Sequence, residues 1–171
     1  NSHFDTTTDF RDAIGDDPYD NSNPYYGNND VDGPDPKKKD AKHGTHVAGI
    51  IAAQRDNGIG MNGVAQNVQI MAVRAVPDGD EYDKDIANAI RYAVDNGAKV
   101  INTSFGKYYS THPQWVWDAL AYASENDVLI VNAAGVCAAH WVGSCCLPAT
   151  AAVPSRADRS QDTTGAVTGP A

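Results

Sequence analysis

Between Val68 and Ala133 the apolar period of the sequence switches repeatedly, and this alternation restricts the fold more than any other feature of the chain. Val68 to Val76, rich in Val, Ile and Met, reads as a buried strand. Asp83 to Asn96 carries Ile86, Ala87, Ile90, Ala93 and Val94 at helical spacing, and Gly97 is suited to close that helix. Lys99 to Thr103 is a short second strand. Pro113 to Glu125 is a second helix with proline in its first turn, and Val128 to Ala133 is a third strand. Strands separated by helices and short links require right-handed crossovers and a parallel sheet covered on both faces. The predicted fold class is therefore α/β, three-layer α/β/α around a mainly parallel sheet.

In such sheets ligands collect beyond the carboxyl ends of the strands. Two of those ends carry small residues, Ser104-Phe105-Gly106 and Ala133-Ala134-Gly135, which would let a peptide backbone lie close. Ordinary turn chemistry is the favoured account of such small residues when each stretch is taken alone. Trp115, Trp117 and Tyr122 fall on the packing face and flank of the second helix, so they are expected to fill space and not to stack a ligand.

Upstream lies His43-Gly44-Thr45-His46-Val47-Ala48-Gly49, followed by Ile50-Ile51-Ala52-Ala53. If this segment is helical, its histidines sit at the N-terminal end and its small apolar side packs against a neighbour. Glycine is poor inside a helix, so Gly44 and Gly49 suggest a close approach of backbone or substrate, or a helix start. Three readings of the histidines compete. They can be two structural side chains. They can be a pair of metal ligands in a metal-dependent hydrolase, although zinc proteases place histidines at i and i+4 around a glutamate. Or one can be a general base presented at a crevice. Spacing alone does not choose.

The remaining segments bound the chemistry. The chain has 171 residues, the size of one domain. Its formal charge of -9 argues against a nucleic-acid partner, and the short run Lys37-Lys38-Lys39, flanked by Asp35 and Asp40, does not reverse that. No apolar run is long enough to span a bilayer, and no N-terminal signal segment is recognisable. Three cysteines, Cys137, Cys145 and Cys146, give no disulfide framework. Residues 1–42, rich in Asp, Asn, Pro and Tyr, read as a long acidic loop region. Within it Asn28 to Gly33 imitates the front of an EF-hand loop, but Lys39 stands where the bidentate glutamate belongs. Gly58, Gly60 and Gly63 match the dinucleotide fingerprint by letter only. They leave a helix and run towards a strand, the reverse of the required context, so the segment reads as a tight loop.

The string from His43 to Gly49 resembles the histidine signature of the subtilisin-like serine proteases, and the stretches Val100 to Gly106 and Asp127 to Gly135 follow in that family's order. The resemblance covers roughly residues 40–135, so 43–135 is taken as a partial catalytic domain and the chain as a fragment incomplete at both ends. It implies a secreted or cell-envelope serine endopeptidase acting on peptide or protein substrates through an acyl-serine intermediate. By the same resemblance His43 is the general base, His46 a structural neighbour, and Ser104, Phe105, Gly106, Ala133, Ala134 and Gly135 the walls of the specificity pocket. The first wall would also pair with extended substrate as an added strand. No cofactor is required for the chemistry. The resemblance does suggest a structural calcium ion at Asn57, with the carbonyls of Gln54, Ile59 and Met61.

The family pattern is not complete. No Asp-Thr-Gly or Asp-Ser-Gly turn following a hydrophobic run precedes His43, and Gly143-Ser144-Cys145 is not followed by a helical pattern as a nucleophile turn would be. Val136 occupies the place where the family sets an asparagine that donates to the oxyanion. Residues 136–171 also change composition abruptly, with every cysteine and no Lys, Glu, Ile, Phe, Tyr or Asn. The composition step and the broken motif together favour a shifted reading frame or truncated gene model over a divergent tail, and the tail is expected to be disordered. The chain by itself is expected to be inactive. A noncatalytic peptide-binding module is the alternative reading.

Overall fold

The computed structural model describes residues 11, 15–32, 41–76, 81–107 and 109–133. The elements are α1 (Lys42–Ala52), α2 (Asp83–Asp95), β1 (Val100–Thr103), α3 (Pro113–Glu125) and β2 (Leu129–Asn132). The tail 136–171 lies outside the described residues.

The two strands pair in parallel, Val100 opposite Leu129 through Thr103 opposite Asn132. Parallel neighbours need a crossover, and α3 supplies it. Strand alternation turns Ile101 and Ile130 inward and leaves Val100, Leu129 and Val131 exposed. The principal packing is α2 on α3 and α3 on β2. Its core is Ile86, Ala87, Ile90, Val94, Val116, Ala119, Ala123 and Val128, with Ile101, Phe105, Trp115, Tyr122 and Ile130 packed against it. The α/β class and the parallel pairing hold, and within the described residues the layers are incomplete.

The helix ends explain the lengths of the links. Past α2, Gly97 sits at φ 88°. Its N–H donates to the Val94 carbonyl at 3.0 Å while that of Ala98 reaches Ala93 at 2.9 Å, the paired bonds of a Schellman exit. Past α3 the same two bonds recur, Asp127 to Ser124 at 3.2 Å and Val128 to Ala123 at 2.9 Å. There the left-handed residue is Asp127 at φ 56°, a conformation that favours glycine.

The histidine segment is helical, with His43 and His46 in its first turn. Its expected packing is not met among the described residues, because α1 has no buried side chain. A Cβ at Gly44 or Gly49 would meet nothing within 4 Å. The close approach comes at Gly63, where a Cβ would lie 2.4 Å from the Ala53 nitrogen. The chain folds back there, and the N–H groups of Gly63, Val64 and Ala65 donate to the Ala53, Ile50 and Ile51 carbonyls. The loop between is tight as expected, with Asp56, Gly58 and Gly60 all at positive φ.

Val68 to Val76 departs from the sequence reading. It forms no strand among the described residues, and Val68, Ile70, Met71 and Val73 are exposed. A strand exists only through a ladder partner, and among the described residues the ladder joins β1 and β2. Only Ala75 and Val76 reach the core.

The described part of the acidic stretch has no helix or strand. Its Asp and Asn side chains hold the backbone locally. Asp17, Asp20, Asn23, Asn28 and Asp30 each accept the N–H two residues on, at 2.8 to 3.1 Å.

Candidate active site

The carboxyl ends of β1 and β2 stop side by side. Beyond the last strand pair the Ala133 N–H donates to the Thr103 carbonyl at 3.1 Å, so the ladder runs to the point where Ser104 begins. Thr103 is buried, and its hydroxyl donates to Asn132 Oδ1 at 2.7 Å, tying the two strand ends through side chains as well. The Asn102 amide donates to Ser104 Oγ at 2.8 Å. Ser104, Phe105, Gly106 and Ala133 are all half-buried. Phe105 packs against the core. Ala134 and Gly135 lie outside the described residues, as do Val136 and Ser144.

His43 and His46 are exposed, one turn apart on α1. Among the described residues no group of three His, Cys, Asp or Glu side chains is placed to hold a metal ion. Asn57 Oδ1 accepts the Ile59 N–H at 2.9 Å, and Asn62 Oδ1 accepts that of Asp56 at 2.9 Å. These bonds shape the loop, and the second lone pair of the Asn57 oxygen leaves it able to join carbonyls around a hard cation.

Sequence reasoning missed the charged turn that fastens the wall. Asp83, Lys84 and Asp85 open α2 and are all buried. Asp83 accepts from Ser110 Oγ at 2.8 Å, from Thr111 Oγ1 at 3.3 Å and from the His112 N–H at 2.8 Å, and it pairs with Lys107 Nζ at 2.9 Å. Lys84 bonds Asp16 and donates to the Asp17 carbonyl at 2.7 Å. Asp85 takes Arg11 at 2.5 Å and the Tyr26 hydroxyl at 2.5 Å. One helical turn therefore holds the acidic stretch on one side and the loop after β1 on the other. The available signal was an acidic helix start followed by a lysine just past the wall.

Burial raises the Asp83 carboxyl, but the His112 N–H, Lys107 and Ser110 outweigh it and hold the group below its ordinary value. At Asp16 burial acts the same way and is outweighed by Lys84 and Arg11. Both carboxylates are depressed on folding, so their stabilisation is fully present above the ordinary value of 3.8 and is lost as pH falls through the lower folded values. Burial and then the bond to Asp85 push the Tyr26 phenol up, keeping it a donor.

Comparison with known proteins decides the family. A family model described as the Subtilase family matches residues 2–137. The chain belongs to the subtilase family. Over 94 residues this subtilase chain is 47% identical to a thermophilic serine proteinase of Bacillus sp. (strain AK1), covering 54% of the chain and 23% of that protein. It is 51% identical over 71 residues to a cell wall-associated protease of Bacillus subtilis (strain 168), covering 41% of the chain and 8% of the relative. Thermitase of Thermoactinomyces vulgaris is 40% identical over 94 residues, 54% of the chain and 33% of that protein. The match thus spans a third or less of these relatives' lengths. No solved structure matches. No helix among the described residues is long and apolar enough to cross a membrane.

Proposed function

We propose that this subtilase chain is part of a secreted or cell-envelope serine endopeptidase, with His43 as general base and Ser104–Gly106 with Ala133–Gly135 as walls for an extended peptide. The observation that supports the reading is the sheet end, where the β1–β2 ladder reaches Ser104 and Ala133 inside the family match. Backbone groups leaving a strand there can pair with a substrate strand, and the half-buried setting removes part of the competing water. His43 would take the proton of an attacking serine and return it to the leaving amine. Its exposure on the first turn of α1 leaves the ring accessible to both.

The 171 residues expressed by themselves are expected to bind extended peptides without cleaving them. Hydrolysis of a peptide substrate that His43→Ala abolishes would show that a complete catalytic set is present and overturn the expectation of inactivity. Failure to bind peptide at all would remove the substrate walls. Calcium at the Asn57 loop belongs to the same proposal. Calorimetric titration of calcium should give heat that Asn57→Ala removes, and no heat from the unaltered chain counts against it.

A further inference from the structure

The wall that the proposed function assigns to substrate is held at three places. Upstream, β1 is laddered to β2 as far as Thr103. In the middle, Phe105 packs into the core. Downstream, Lys107 and residues 110–112 are all engaged by one group. That group is the Asp83 carboxylate, 2% exposed, which engages Lys107, Ser110, Thr111 and the His112 backbone at 2.8 to 3.3 Å. Lys107 Nζ also donates to the Glu81 carbonyl at 2.7 Å, so the first residue past the wall is tied to the approach to α2 by two bonds.

We propose that Asp83 is a positioning residue for the peptide-binding wall Ser104–Gly106. The inference rests on the reading of that wall as a substrate strand. A carboxylate is suited to the task because it offers about four lone-pair directions and no donor, and here it meets a hydroxyl pair, an amide and an ammonium group. An amide in its place would keep the shape but turn a donor towards some of these donors. The wall would then sample several conformations, and a peptide would bind only the fraction in which the strand is straight.

The test uses the full 171-residue chain. Backbone ¹⁵N relaxation of Phe105, Gly106 and Lys107 is compared in the unaltered protein, Asp83→Asn, Lys107→Met and Lys107→Arg. The unaltered wall is expected near the rigid order parameter of about 0.85. Asp83→Asn and Lys107→Met should lower it towards about 0.6, with Ile86–Val94 and Val116–Ala123 unchanged. Lys107→Arg keeps the charge and should restore most of the order. Anisotropy with a fluorescein-labelled randomised hexapeptide pool should show affinity weakened about tenfold in the two loosened variants, as for a wall competent a tenth of the time. If Asp83→Asn fails to fold, Lys107→Met decides.

An unchanged wall in Lys107→Met, or loosening of α2 and α3 to the same degree, overturns the role of Asp83. A loosened wall with unchanged peptide affinity also overturns it. Absence of peptide binding by the unaltered chain instead overturns the substrate reading, while the relaxation data still report whether Asp83 orders the wall.

Discussion

α1 and α2 are two helices of similar length with opposite fates. α1, with Val47, Ala48, Ile50, Ile51 and Ala52, is the more apolar sequence and buries none of its residues. α2 opens with three charged residues and has eight buried side chains. What separates them is a partner of matching period. Ile86, Ile90 and Val94 lie on one stripe that meets Val116, Ala119 and Ala123 of α3, whereas among the described residues α1 is bonded by the loop 63–65 through its backbone and joins no buried cluster. Hydrophobicity supplies the drive, but a facing surface is needed to realise it.

Substitutions can break or sharpen that contrast. Ile86→Ala, at a site 1% exposed, should lower stability by about 2–5 kcal/mol in urea titration. A loss below about 1 kcal/mol would mean that the α2–α3 seam is loosely packed. Gly63→Ala places a methyl group against the Ala53 backbone and should cost about 1–3 kcal/mol, read by hydrogen exchange at Val64 and Ala65. If it costs nothing, the fold-back onto α1 is not a fixed contact. At the two Schellman exits the signs should oppose each other. Gly97→Ala should lose about 1 kcal/mol, and Asp127→Gly should gain up to about 1 kcal/mol in thermal melts, since both positions are left-handed. Ile50→Ala should change stability by less than about 0.5 kcal/mol. An effect there as large as that of Ile86→Ala would erase the contrast.

The parts of the fold legible in the sequence are those whose cause is local. The spacing of Ile86, Ile90 and Val94, the stop at Gly97 and the proline at Pro113 set α2 and α3 to within a residue of their expected limits. Both parallel strands also fall where their apolar runs predict. Val68 to Val76 has the same apolar look, yet strand formation depends on a neighbour that no local pattern specifies. The left-handed turn at Asp127 was hidden because Asp is not the usual residue for it. For the site, the positions of Ser104 and Ala133 at one sheet end followed from the alternation. The Asp83 cluster did not, because its partners lie 24 to 29 residues away and meet only after α2 and α3 have packed.

The outward side of the strand pair has a practical consequence. Val100, Leu129 and Val131 face water on a ribbon whose outer backbone groups are unladdered among the described residues. Such a surface is suited to pairing with a second ribbon, and the described residues by themselves would be expected to self-associate as the solution becomes more concentrated. Dilution, or a charged replacement at Val100 or Leu129, should then raise the monodisperse fraction read by light scattering.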